Sequence, residues 1–241
     1  MNRTAQTATD ELVHLPAGAA TLEGDLHVPA EAPGVVLFAH GSGSSRHSPR
    51  NRYVAGALNA AGLATLLVDL LTPEEEAIDQ RTAHLRFDIG LLARRLVDAT
   101  DWLARHPATQ DLAIGYFGAS TGGGAALVAA AERPDAVGAV VSRGGRPDLA
   151  GPALPRVRAP TLLIVGGNDV PVIEMNRAAL EQLRAEKRLE IVPGATHLFE
   201  EPGALEHVAR LAADWFRGYL TPPSRTRSGP RVSSAVPESR A

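Results

Sequence analysis

Between Gly34 and Gly194 the chain alternates two patterns of apolar positions. Short continuous apolar runs recur: GVVLFAH (34–40), LATLLVDLL (63–71), LAIGYFG (112–118), VGAVVSR (137–143), TLLIVGG (161–167) and the shorter LEIVPG (189–194). Runs of this length, rich in β-branched residues and bounded by glycine, predict strands buried on both faces. Between them lie segments with helical patterning: 53–61, 87–105, 121–133, 178–187 and 205–219. The second is the clearest, with Ile89, Leu92, Leu96, Ala99 and Leu103 on one stripe. Ahead of these, ELVHLPAG and ATLEGDLHVP alternate apolar and polar residues around Ala17-Gly18, the pattern of an antiparallel hairpin. A hairpin followed by repeated β-α-β units predicts an α/β fold: a mostly parallel sheet, helices on both faces, and antiparallel strands at one edge.

Composition narrows the class. The chain has 241 residues, enough for one sizeable domain, placed at 11–220. Residues 1–10 are polar, lack the apolar stretch of a signal peptide and are expected to form a flexible N-terminus. Residues 221–241, rich in Pro, Ser and Arg, are expected to form a disordered tail. The absence of cysteine excludes disulfides, thiolate metal sites and a cysteine nucleophile. A net charge of −3 provides no field favouring nucleic acid or an anionic membrane, and no apolar run approaches the roughly 20 residues of a membrane span. The expectation is a cytoplasmic protein acting on a small molecule, with neither cofactor nor metal. Monomer and homodimer are both left open.

In sheets of this kind, ligands bind beyond the carboxyl ends of the strands. The residues at those exits are His40-Gly41-Ser42-Gly43, Asp69, Ser120, Ser142-Arg143, Asn168-Asp169 and Thr196-His197. Ser120 lies in Gly118-Ala119-Ser120-Thr121-Gly122, a G-x-S-x-G stretch between a strand and a helix. An alcohol is a poor nucleophile at neutral pH. A histidine must take its proton as it attacks a carbonyl carbon, and a carboxylate must hold that histidine in the right tautomer. Ser120, Asp169 and His197 supply these groups in the chain order serine, aspartate, histidine. The flanking glycines let the strand reverse sharply into the helix with the serine at the tip. The backbone N–H of Thr121 and that of Ser42 are the expected oxyanion donors. Asp169 could instead cap a helix, His197 could be an ordinary loop histidine, and Ser120 could sit in a structural glycine turn.

At these residues the sequence resembles the α/β-hydrolase superfamily and, within it, the dienelactone-hydrolase-like serine hydrolases. The segments that carry the likeness are VVLFAHGSGSSRHSPRN, GYFGASTGGGAAL, VSRGGRPDLA, LLIVGGNDVPV and PGATHLFEEPG, and it covers roughly residues 10–220. The resemblance implies the α/β-hydrolase fold, with an eight-stranded sheet whose first two strands are the hairpin. It also implies the roles given above for Ser120, Asp169, His197, Ser42 and Thr121. There is one departure. Dienelactone hydrolases use a cysteine nucleophile where this chain has Ser120, which points away from dienelactone as substrate.

The expected reaction is hydrolysis of a small carboxylic ester through an acyl-enzyme, with thioesters and amides as alternatives. The segment 143–160 is too short for a helical cap domain, so an open site is expected. Arg143, Arg46 and His40 are candidate substrate-binding residues. Arg143 would bind an anionic group or, equally well, form a structural ion pair. Arg46, with His47 beside it, invites the same thought of an anionic group, against a solvated loop, and His40 also suits a brace for the oxyanion loop. Glu74-Glu75-Glu76 reads as a solvated surface run. Two rival readings are a non-catalytic ligand-binding protein on a hydrolase scaffold, and a dinucleotide-binding enzyme using His40-Gly41-Ser42-Gly43 and Asp69. The second lacks the third glycine of G-x-G-x-x-G, where Arg46 stands.

Overall fold

The structure is a computed structural model and describes residues 8–221. The expected terminal segments lie outside the described residues, apart from 8–10 and 221; β1 already begins at Thr9. Strands β1 (Thr9–Ala17) and β2 (Ala20–Val28) form the hairpin, turning through Gly18 at φ 61°. They are followed by β3 (Gly34–Ala39), β4 (Ala64–Val68), β5 (Ala113–Ala119), β6 (Val137–Arg143), β7 (Thr161–Gly166) and β8 (Lys187–Val192). All eight make one sheet in the order β1-β2-β4-β3-β5-β6-β7-β8, with β3 to β8 parallel and β2 antiparallel to β4.

The burial patterns follow the sequence patterns. Every residue of β3, β4 and β7 is buried, because helices cover both faces of the sheet. Val35, Leu37 and Ala39 of β3 face one cluster, with Leu96 and Ala99 of α3 (Ile89–Leu103) and Ala126 and Ala130 of α4 (Thr121–Glu132). Val36 and Phe38 face the other, with Val54 and Leu58 of α1 (Pro49–Ala60) and Val208, Ala212 and Phe216 of α6 (Ala204–Leu220). The hairpin buries one face only; Val13, Leu15, Leu22 and Leu26 join the first cluster.

Two helices differ from the sequence expectation. Helix α2 (Pro73–Thr82) carries Glu74-Glu75-Glu76 in its first turn. Periodicity misses it because it has no apolar stripe. It is held instead by a capping box, in which the Thr72 side chain accepts from the Glu75 N–H and the Glu75 carboxylate accepts from the Thr72 N–H. Its acidic first turn also suits the positive end of the helix. Helix α5 (Val170–Gln182) begins immediately after Asp169, eight residues before the expected start. Pro171 sits in its first turn, where proline starts a helix rather than breaking one. After β6 there is only a 3₁₀ segment, Pro147–Arg156, and no covering domain among the described residues. None of the helices in that range is long and apolar enough to cross a membrane.

Phe216 is fully buried and anchors α6 on the sheet. Phe216→Ala should destabilise the protein by about 3–5 kcal/mol. Urea unfolding would read this as a lower midpoint with an unchanged slope.

Candidate active site

The sheet order reverses at β3. The chain passes from β3 to β4 on one side, then returns to place β5 on the other. The loops after β3 and β5 therefore diverge, α1 packing on one face and α4 on the other, and leave a crevice at their carboxyl ends. Ser120 stands at that crevice. It is the residue between β5 and α4, with φ 51° and ψ −122°. A non-glycine residue in this region is strained by roughly 1–3 kcal/mol and persists only where its surroundings hold it. Three backbone bonds do so: Ser120 N–H to Arg143 O (3.2 Å), Gly123 N–H to Ser120 O (2.9 Å) and Arg146 N–H to Ser120 O (3.0 Å). The motif glycines are sterically required. A Cβ on Gly122 would lie 2.2 Å from Ala39 O, and one on Gly118 would lie 2.5 Å from Gly123 Cα.

Asp169 and His197 meet on the other side. His197 Nδ1 lies 2.6 Å from Asp169 Oδ2. With Nδ1–H donating to the carboxylate, Nε2 keeps its lone pair. Asp169 occupies the N-cap position of α5, yet its side chain makes no capping bond; the carboxylate is turned to the histidine. The two loops are stitched together. Gly167 N–H donates to Val192 O (2.8 Å), Asn168 N–H to Ala195 O (2.9 Å) and Asn168 Nδ2 to Gly194 O (2.8 Å). A Cβ on Gly166 would lie 2.4 Å from Ala195 O, so only glycine allows this approach. The His197 ring packs over Gly144, which follows β6 and lies next to the residue whose carbonyl accepts from Ser120. Among the described residues no hydrogen bond joins Ser120 Oγ to His197. Serine–base contacts are often long before substrate binds.

Ser42 and Thr121 are adjacent, their hydroxyls 3.1 Å apart. Among the described residues neither backbone N–H has a protein acceptor. The loop carrying Ser42 is pinned at two points. His40 donates from Nδ1 to Gly41 O (3.0 Å) and accepts at Nε2 from the Leu70 N–H (3.0 Å). Burial lowers its pKa, against smaller opposing effects of the Gly41 carbonyl, Asp69 and Glu76. Arg46 bonds Asp69 through both its backbone N–H (2.6 Å) and its guanidinium, reaches Glu23 at 2.8 Å, and lies 3.5 Å from Asp25. Asp69 is thus engaged by Arg46. A cleft of about 330 Å³ beside this loop is lined by His40, Gly43, Arg46, Asp69, Leu71 and Glu76.

Arg143 ends β6 and is 7% exposed. Its Nη2 makes one long bond, 3.4 Å, to Asn51 Oδ1, and its guanidinium carbon lies 5.9 Å from the centre of the Phe199 ring. No carboxylate pairs with it among the described residues. Burial, then the neighbouring Arg50, push its pKa down to about 10. Asn51, Gly144, Asn168 and Phe199 shape the site without having been singled out for a role by sequence reasoning. Asn168 was visible beside Asp169, but the others become neighbours only when β6, α1 and the β8–α6 loop come together.

Gly122→Ala should prevent accumulation of soluble folded protein, since its Cβ would collide with backbone atoms on an adjacent strand; circular dichroism and size-exclusion chromatography would check this. The lowered pKa of His40 has a definite sign. Below about pH 6.5 the unfolded chain takes up a proton that the folded chain resists, so stability falls with pH. His40→Gln lacks that titration. Melting curves from pH 7 to 5 should therefore show the wild type losing more stability than the variant.

Residues 22–219 match the model of the family described as "Dienelactone hydrolase family". The crystal structure of a dienelactone hydrolase from Anabaena variabilis ATCC 29413 superimposes with a TM-score of 0.87 at 69% identity, over 89% of this chain and all (100%) of that one. Est1E from Butyrivibrio proteoclasticus shares the fold, with a TM-score of 0.72 at 17% identity over 88% of this chain and 98% of its own. Two Mycobacterium tuberculosis strains, CDC 1551 and H37Rv, have a protein named "Putative phosphoribosyl transferase" that is 61% identical over 214 residues, 89% of this chain. The chain spans about half the length of these curated relatives, 47%. With an α/β-hydrolase sheet and a family match across most of its length, the chain belongs to the dienelactone hydrolase family, whose members named here include a hydrolase of known structure.

Proposed function

We propose that this hydrolase is a serine esterase acting on small carboxylic esters, with Ser120 as nucleophile, His197 as general base and Asp169 as its orienting carboxylate. The observation that carries the reading is the strained Ser120 elbow together with the bonded Asp169–His197 pair, whose imidazole lies against Gly144, the residue after the Arg143 carbonyl that accepts from the Ser120 N–H. His197 Nε2 takes the Ser120 proton as Oγ attacks the carbonyl carbon. The oxyanion is received by the N–H groups of Thr121 and Ser42, each worth about 3–4 kcal/mol in the transition state. Collapse of the intermediate expels the alcohol, which leaves with the proton from His197. Water then attacks the acyl-enzyme with His197 again as base, releasing the acid and restoring Ser120. A thioester or amide would follow the same steps. Val170 and Leu198, 60% and 41% exposed, flank Asp169 and His197 and suit an uncharged part of the ester. The transferase in the mycobacterial relatives' name is assigned, in this reading, to the portion of those proteins that this chain does not span.

A fluorophosphonate should form an adduct on Ser120, mapped by mass spectrometry. Ser120→Ala should remove that adduct and lower p-nitrophenyl acetate turnover by roughly a millionfold. Turnover retained in that variant would overturn the mechanism. Ser42→Ala and Thr121→Ala should lose far less, because their proposed donors are backbone groups.

A further inference from the structure

The acidic run Glu74-Glu75-Glu76 is not one feature in the folded chain. Glu74 is exposed. Glu75 closes the capping box of α2 and pairs with Arg95 at 2.7 Å. Glu76 stands half-buried on the wall of the cleft beside the Ser42 loop. Among the described residues its carboxylate makes no hydrogen bond or ion pair; only its backbone N–H is bonded, to Thr72 O. The first turn of α2 therefore brings an uncommitted carboxylate to a cavity.

That cavity adjoins the reaction centre. At about 330 Å³ it falls within the range of small-molecule sites. A narrower hollow, lined among others by Ser42, Arg86 and Thr121, shares the wall residues His40, Gly43, Leu71 and Glu76 with it. Glu76 thus stands between the cleft and the two residues proposed as oxyanion donors.

The remaining charges of both hollows are engaged. Arg46 is bonded to Asp69 and Glu23 and lies beside Asp25. Arg86 is held by the buried Asp79, which also accepts from the Leu85 and Arg86 N–H groups. His40 is neutral near pH 7, since burial lowers its pKa. The cleft as a whole sets the carboxylates of Glu23, Asp69 and Glu76 against the guanidinium of Arg46. Such a wall repels an anion and attracts a cation. It suits an organic cation, because Leu71 and Pro73 offer apolar contact and no group of three acidic or histidine side chains among the described residues is placed to hold a metal ion.

We propose that Glu76 binds the ammonium group of a cationic substrate, and that the preferred esters carry an alkylammonium group reaching this cleft from the scissile carbonyl. A carboxylate standing alone beside oxyanion donors opposes the charge that develops there, and a substrate cation bound to it removes that opposition. The preference therefore acts in the transition state as well as in binding. The inference rests on the ester-hydrolase reading above.

The test uses two pairs of esters, each a cation and its neutral isostere with carbon in place of nitrogen. Acetylthiocholine and S-3,3-dimethylbutyl thioacetate carry the group on the leaving side. The p-nitrophenyl esters of 4-(trimethylammonio)butanoic and 5,5-dimethylhexanoic acids carry it on the acyl side. With each kcat/KM divided by the ester's rate with hydroxide, wild type should favour the cation about tenfold or more in at least one pair. Glu76→Gln should bring that ratio near one, and Glu76→Asp should keep part of it. The ratio cancels any general loss of activity. Wild-type ratios close to one or lower in both pairs overturn the proposal without any variant, as does a ratio that survives Glu76→Gln. Calorimetry on Ser120→Ala needs no turnover. Choline should bind it more tightly than 3,3-dimethylbutanol, and Ser120→Ala/Glu76→Gln should lose that difference. No difference in Ser120→Ala overturns the cation site. Absence of turnover of all these esters, with Glu76-dependent choline binding intact, counts against the esterase reading alone.

Discussion

The close approach of helix α4 to the ends of β3 and β5 is the constraint on which the site depends. Helix and strands touch through backbone, with Gly122 against Ala39 O and Gly118 against Gly123, leaving no room for a single methyl group. This contact forces the turn at Ser120 into positive φ and points the side chain out of the sheet. It also brings the helix N-terminus to the crevice, where its unpaired N–H groups and partial positive charge favour negative charge. The strain of roughly 1–3 kcal/mol is offset by three backbone hydrogen bonds at the same residue, each contributing about 1 kcal/mol. The glycine–alanine composition of α4 follows from this arrangement, because the helix is buried along nearly its whole length.

Around that fixed point, two loops are anchored independently. The Asp169 and His197 loops are sewn to each other by the three bonds of Gly167 and Asn168. The Ser42 loop is tied to β2 and β4 by His40 and Arg46. Arg46 spends its guanidinium on carboxylates of three different residues, so its charge is satisfied internally. Arg143 is its opposite: more deeply buried and, among the described residues, without a carboxylate. Two arginines that look alike along the chain thus have different electrostatic surroundings. One is a structural clasp. The other is met by an amide and an aromatic ring.

Much of this was legible in the chain. Apolar runs that need two covered faces marked the central strands, and strict alternation marked the hairpin that has only one. The position of Ser120 followed from glycines on both sides of a serine at a strand-to-helix boundary. Helix α2 was not legible, because a helix held by its cap and surface charges leaves no apolar stripe. The early start of α5 was hidden for a related reason: Pro171 reads as a breaker in isolation and as a first-turn residue in context.

The sequence by itself determined which groups stand at the strand exits and in what order, since local patterning sets strand ends and the chain's direction sets which end faces the crevice. Only the tertiary structure decided who neighbours whom. His197 meets Asp169 because β7 and β8 are adjacent and Gly166 lets their loops touch. Among the described residues Arg46 meets three acids and Arg143 meets none, because charge pairing depends on distances of a few ångströms between segments far apart in the chain. Periodicity carries no information at that range.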